Sequence, residues 1–491
     1  MRGRGPWPDW AQALALYAVA AIARLAFATV HPYGDEAHHY YIARHFGHAP
    51  ENLYGAGDLR WLFWWRPLFS LLLSPGAQFG FTGFRVGYAL LAAILVPALY
   101  LWLRGRGVGR LAAVLAGVVA AFHPFLLIWG VRAFPDGLMA ALFVAGLALW
   151  ERKWNATGAL LLLMATWTKE SALVGVGILL LEEVLDGLRR SGRWELSVRV
   201  GVREVLLTVV LALAYLPHLY AERIGGRPPG WTRGGTTGGV LDGVFTTVWF
   251  IPIVAAGLLY KPSRRPALLA LTYLAFYTAY HVVVGGAAEG WYFFLPSVFA
   301  VATVAALLDT LAKDTKPNVV KAGRVAMALV AVVLLAQVLL PGDTPHKQEV
   351  LHPGTGTIEL SYVETLEFER ARDADLWTTI DQLHGEDLHN VLLVDVAWFF
   401  GIWPFSEKAD YVAAAYTEGS VPDQLWGDAI EQVANTTILR RGLTPLSLAL
   451  GDVYGDCITD ASPEYVILRG QGCQGRLDEL RTAFVAHGGT L

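Results

Sequence analysis

Directly after the first apolar run of this 491-residue chain, Gly34-Asp35-Glu36-Ala37-His38-His39-Tyr40-Tyr41 sets two carboxylates beside two imidazoles. A carboxylate next to an attacking hydroxyl serves as a general base when burial or an acidic neighbour raises its proton affinity. If 35–44 is helical, Asp35 and His39 are four apart and Glu36 and His39 three apart, so carboxylate and imidazole share a face. The same spacing suits a divalent metal, with Asp35 and His39 as its candidate ligands. The plainer alternative is that the histidines hydrogen-bond to carboxylates or water. Asp136 is a further acidic candidate, just after Pro135. Arg66, Arg132 and Lys169 are cations of the kind that hold a phosphate and stabilise the charge growing on it as a bond breaks. Each also has a structural alternative: carboxylates favour helix N-termini, and Lys and Arg snorkel to membrane interfaces.

Composition says what must position these groups. With 55% hydrophobic and 16% charged residues and a mean hydropathy of +0.43, the chain is too apolar for a soluble globular protein, and a bilayer is its expected solvent. Apolar stretches lie at 10–30, 85–103, 111–130, 136–150, 156–168, 170–187, 201–220, 241–259, 267–284, 291–311 and 324–340. The expected fold is therefore a membrane all-α bundle of about eleven spans, in a range of roughly 10–13, because several stretches fall short of the ~20 residues of a straight crossing. Pro67, Pro75 and Gly76 interrupt the apolar run after Arg66, which is expected as a re-entrant or surface helix. The N-terminal run is long for a signal sequence and carries Arg24 near its end, so it reads as an uncleaved first span.

Charge supplies orientation. Arg104/Arg106/Arg110, Arg152/Lys153, Arg189/Arg190/Arg193, Lys261/Arg264/Arg265 and Lys313/Lys316/Lys321 fall in alternate loops, on the side of Arg2 and Arg4, which the positive-inside rule makes cytoplasmic. The loop 31–66, the turn at Lys169 and the C-terminal part then face outward. From Asp343 onward there are 24 Asp+Glu against 9 Lys+Arg, so the net charge of −4 divides into about +11 before that point and −15 after it. That asymmetry argues against nucleic acid as a partner. Two domains are expected: 1–340 in the membrane, with the loop 31–66 carrying the acidic motif, and 341–491 as an acidic extracytoplasmic α/β domain. Within the latter, Val391–Val396 and Tyr465–Leu468 read as strands and 361–383 as helical. Cys457 and Cys473, both in this domain, are either a disulfide or two thiols.

Ionisable residues are nearly absent from span centres, where a transporter needs its coupling site, and collect at the outer ends. There the pattern resembles a family. Asp35-Glu36-Ala37 followed by histidines is similar to the Asp-Glu-Ala-aromatic motif of the polytopic GT-C glycosyltransferases, the group holding the dolichyl-phosphate-mannose protein mannosyltransferases and the aminoarabinose transferases. Arg66-Pro67-Leu68 stands where the family often has Lys-Pro-Pro-Leu. Pro135-Asp136-Gly137-Leu138, Thr168-Lys169-Glu170 in place of Thr-Lys-Gly, and Tyr292-Phe293-Phe294-Leu295-Pro296 follow in order. His38 and His39 replace residues more often aromatic, and Glu289-Gly290-Trp291 lacks the arginine frequent before the tyrosine. The resemblance, over about 10–310, implies a cell-membrane enzyme moving a sugar, mannose or a related hexose, from a polyprenyl-phosphate donor to a protein, glycan or lipid acceptor. It implies Asp35, Glu36 and Asp136 as catalytic residues, Arg66, Arg132 and Lys169 on the donor phosphate, and inversion at the anomeric carbon. A flippase of lipid-linked sugars and a non-catalytic membrane-anchored assembly protein are the alternatives.

Overall fold

Apolar runs punctuated by proline and glycine become helices. The computed structural model describes residues 9–30, 35–46, 66–191, 201–217, 250–284, 290–313 and 317–339. In the C-terminal part it describes 390–394, 411–415, 436–440, 445–461, 465–469 and 476–489, with isolated helical positions at 363, 366, 367 and 370. The helices are α1 (Asp9–Leu25), α2 (Asp35–Arg44), α3 (Pro67–Ala77), α4 (Gly80–Ala92), α5 (Leu95–Gly105), α6 (Arg110–Phe122), α7 (Pro124–Val131) and α8 (Pro135–Glu151). There follow α9 (Asn155–Thr168), α10 (Ala172–Ser191), α11 (Val202–Ala214), α12 (Phe250–Ala256), α13 (Lys261–Val284), α14 (Phe294–Ala312) and α15 (Pro317–Leu339). Each apolar stretch expected as a span contains helix among the described residues. Among the described residues, Gly80–Gly105 and Phe294–Ala312, with mean hydropathies of 2.1 and 1.8, are long and apolar enough to cross a bilayer. The chain divides into two compact units, Met1–Thr29 with Trp64–Phe368, and Val30–Phe63 with Glu369–Leu491.

In the first unit, proline sets the breaks. The 11 residues of α3 rise about 16 Å, half of a ~30 Å hydrocarbon core, so this helix is too short to cross. The stretch 111–130 is divided at Pro124, where His123 leaves the helical region, to φ −60° and ψ 126°, the conformation favoured before a proline. At the centre lies α8, buried on nearly every face, as expected of a helix apolar all round. It packs on α5 and α9. Gly146 and Gly158 let α8 and α9 approach closely: a Cβ on either would sit 3.1 Å from the other's carbonyl oxygen, the small-residue contact of membrane helix pairs.

Both ends of α8 carry charge. At its C-terminal end Glu151 accepts from Arg106 at 2.6 Å and from Arg265 at 2.8 Å, and Arg265 donates also to Glu182 at 2.5 Å. Arg203 pairs with Glu183 at 3.0 Å. Loops that positive charge assigned to one side are therefore joined at one end of the bundle. Asp136, near the other end of α8, is fifteen residues away, or about 22 Å at 1.5 Å per residue.

Around that end the packing is tight. Tyr88 is fully buried, and a Cβ on Gly137 would run into its hydroxyl. Gly137→Ala is accordingly expected to destabilise the protein by about 1–3 kcal/mol through overpacking, and Tyr88→Phe to restore much of the loss. Thermal unfolding of the two single variants and the double variant checks this.

The second unit holds α2 and a five-stranded sheet of β1 (Asn390–Val394), β2 (Tyr411–Ala415), β3 (Thr436–Arg440), β4 (Ile458–Ala461) and β5 (Tyr465–Arg469), with α16 (Pro445–Val453) and α17 (Leu477–Ala486). Strand order is β2-β1-β3-β5-β4. β1 runs parallel to both neighbours, with Val391 opposite Val412 and Thr436, whereas β3, β5 and β4 pair antiparallel. The strands expected at 391–396 and 465–468 are β1 and β5. The helix expected over 361–383 falls largely outside the described residues. Cys457 is disulfide-bonded; Cys473 lies outside the described residues. Arg476 bonds both the Val453 carbonyl at 2.6 Å and the Asp456 carboxylate at 3.1 Å, and the guanidinium holds that carboxyl below the usual range.

Candidate functional site

The site in the first unit is built from the ends of four helices. α9 stops at Thr168, whose hydroxyl turns back to the Met164 carbonyl at 2.9 Å. Lys169 then adopts an extended backbone, φ −156° and ψ 130°, which directs its side chain into the bundle. There Nζ meets both carboxylate oxygens of Asp136, at 2.6 and 2.7 Å. Asp136 stands in the first turn of α8 after Pro135, where the helix dipole favours a negative charge. The pair is sealed, with Asp136 at 2% and Lys169 at 3% exposure. Its roof is aromatic: the Lys169 Nζ lies 4.7 Å from the Tyr292 ring centroid, a cation–π contact, and Tyr277 packs on Tyr292 with centroids 5.4 Å apart.

A second pair adjoins the first. Arg66 precedes Pro67, the first residue of α3, and reaches across 104 positions to Glu170, with Nε to Oε2 at 3.4 Å and Nη2 to Oε1 at 3.3 Å. Arg66 also interacts electrostatically with Asp136 and Tyr292, so the two pairs form one cluster. Energetically they differ. Removing one partner of a sealed pair strands a buried charge, at a cost of about 3–5 kcal/mol, whereas a pair roughly a third exposed contributes about 0–1 kcal/mol. The first pair is the more enclosed, and the second is partly accessible, with side-chain exposures of 28% and 38%.

Of the residues singled out in the sequence, Arg66, Asp136 and Lys169 come together here. Arg132 is fully buried, at the end of α7, with its guanidinium 4.7 Å from the Trp129 ring centroid. Asp35 and Glu36 open α2, so the helix expected over 35–44 is present. Glu36 is fully buried and shares a helical face with His39. The side chains of Asp35 and His38, and the loop residues His31, Asp58 and Arg60, lie outside the described residues. Among the described residues no three His, Cys, Asp or Glu side chains gather as metal ligands.

Sequence reasoning missed Glu170 as the partner of Arg66, and Tyr277. The signal for Glu170 was its departure from the expected glycine. Tyr277, in α13, carries no local motif and reaches the site only through packing. Its hydroxyl faces Ser171, and neither oxygen completes a well-formed hydrogen bond.

No protein-family model and no curated protein sequence matches the chain. Among solved structures, the chain matches that of ArnT from Cupriavidus metallidurans bound to undecaprenyl phosphate. The TM-score is 0.57 and the identity 14%, over 95% of this chain and 99% of that one. At this identity the likeness is one of fold. Helices and C-terminal strands alike fall within the 95% of the chain that the match covers.

Proposed function

We propose that this protein is an integral-membrane glycosyltransferase that transfers a sugar from a polyprenyl-phosphate-linked donor to a protein, glycan or lipid acceptor on the extracytoplasmic face. The observation that carries the reading is the cluster of Arg66, Glu170, Asp136 and Lys169, two cations and two carboxylates drawn from motifs far apart in sequence to one end of an apolar bundle. The undecaprenyl phosphate named with the ArnT structure supports a lipid phosphate as the ligand. A charged headgroup suits such an end, while the polyprenyl chain lies among apolar helices.

In this reading Arg66 takes the donor phosphate. Its planar fork matches two phosphate oxygens, and it is the less enclosed of the two cations. Lys169, engaged by Asp136, holds that carboxylate in place and adds positive potential, and Arg132 adds more. Asp35 takes its role from the motif: it accepts the proton of the acceptor hydroxyl as that oxygen bonds to the anomeric carbon. The bond from that carbon to the phosphate oxygen breaks on the opposite side, which inverts the centre. The electron pair leaves on the lipid phosphate, where Arg66 stabilises it. A divalent metal held by Asp35 and His39 would assist the same charge development.

Arg66→Ala is expected to weaken binding of undecaprenyl phosphate by about tenfold or more, the loss of a charge-assisted fork. Titration of the lipid into protein in nanodiscs measures it. Unchanged affinity, or a wild-type protein that neither binds the lipid nor transfers sugar from polyprenyl-phosphate hexoses, overturns the reading.

A further inference from the structure

The open pair of the site has a geometry that bears on how a lipid phosphate comes and goes. Glu170 places two acceptor oxygens on Nε and Nη2 of Arg66, the same two-point arrangement by which a guanidinium holds a phosphate. Both distances exceed the ~2.7–2.9 Å of a tight charge-assisted bond, so the fork has room to close more tightly on another anion. Side-chain exposures of 28% and 38% leave the pair reachable, unlike Lys169–Asp136. The charges also balance, Arg66 and Lys169 against Asp136 and Glu170. These four charges by themselves offer an arriving anion no net attraction until one carboxylate withdraws, and Glu170 belongs to the more accessible pair. It stands where the resembled motif has glycine, so this carboxylate is an addition to the pattern.

We infer that Glu170 competes with the lipid phosphate for the guanidinium of Arg66. Phosphate oxygens take the two N–H positions that the carboxylate holds, and Glu170, whose side chain is 38% accessible, swings off the fork. The inference rests on the reading of Arg66 as the donor-phosphate ligand. Its consequence falls on release. Transfer converts a phosphodiester donor into a phosphomonoester product with greater negative charge, which an uncontested arginine would retain. A carboxylate poised to return to the fork speeds the product's departure, a step that often limits turnover in evolved enzymes.

The test titrates undecaprenyl phosphate into the full-length protein in phosphatidylcholine nanodiscs, comparing wild type with Glu170→Gln, Glu170→Asp and Arg66→Ala. Glu170→Gln is expected to bind about tenfold more tightly and, in a transfer assay, to be inhibited at correspondingly lower concentrations of added undecaprenyl phosphate. Glu170→Asp, which keeps the charge, should stay near wild type. Glu170→Gly removes the carboxylate in the motif's own manner and gives the same comparison should the glutamine variant unfold, as judged by thermal melting. Equal or weaker binding by the folded glutamine and glycine variants, with Arg66→Ala still impaired, overturns the inference and makes Glu170 a clamp that positions Arg66. Unimpaired binding by Arg66→Ala instead removes the reading beneath it.

Discussion

Asp35→Asn is expected to lower kcat for sugar transfer by about 10²–10⁴-fold, the range that a positioned general base contributes. The exchange keeps the size of the side chain and its ability to hydrogen-bond, and removes only the capacity to accept the acceptor's proton. Affinity for undecaprenyl phosphate should therefore hold, since the proposed phosphate ligand is Arg66. The measurement is paired: turnover of a polyprenyl-phosphate donor beside titration of the lipid, on protein whose thermal melt matches wild type. Transfer undiminished in the variant would sink the catalytic assignment. Glu36→Gln is the useful contrast. Glu36 is fully buried in α2, so its exchange should act first on the stability and orientation of that helix, and on turnover only through Asp35.

The sealed pair predicts the largest effect on stability. Asp136→Asn leaves the Lys169 ammonium buried without its counter-charge, and Lys169→Met leaves the Asp136 carboxylate in the same condition. Each is expected to cost about 3–5 kcal/mol. The double variant removes both charges and should cost less than the sum of the two. Thermal unfolding in a fixed detergent compares the four proteins, and additive losses would show that the two groups do not act as a pair. Because Asp136 and Lys169 both interact electrostatically with Arg66 and Glu170, the single variants should also alter lipid-phosphate affinity. The direction separates them: affinity should rise when the carboxylate is lost and fall when the ammonium is.

The sequence was informative wherever a physical constraint is local. Proline fixes its own φ and disfavours helix in the residue before it, so the short helix after Arg66 was legible, whereas the stretch 111–130, read as one span, is divided at His123-Pro124 by the same local rule. Long apolar runs leave the backbone no partner but itself, and among the described residues each contains helix. The β-branched segments at 391–394 and 465–468 pair as strands for similarly local reasons. The Ala-rich Tyr411–Ala415 gave no such signal. It is a strand because β1 offers it a parallel partner along its whole length, a fact of topology that no window of sequence contains.

The same division runs through the site. That Arg66, Asp136 and Lys169 are ionisable residues at the ends of apolar stretches was legible, because charge is costly inside a bilayer and its position is thereby restricted. Their pairing was not. Lys169 could have faced a phosphate, water or a lipid headgroup with equal local plausibility. Only the packing of α9 against α8 gives it to Asp136 and encloses both, and only the approach of the turn after α9 to the start of α3 gives Arg66 to Glu170. Residue type and spacing marked Arg66, Asp136 and Lys169 as charges at the ends of apolar stretches. Tertiary structure decided which charges neutralise each other and which pair is enclosed, because ion-pair strength depends on distances and burial set by segments 33 and 104 residues apart.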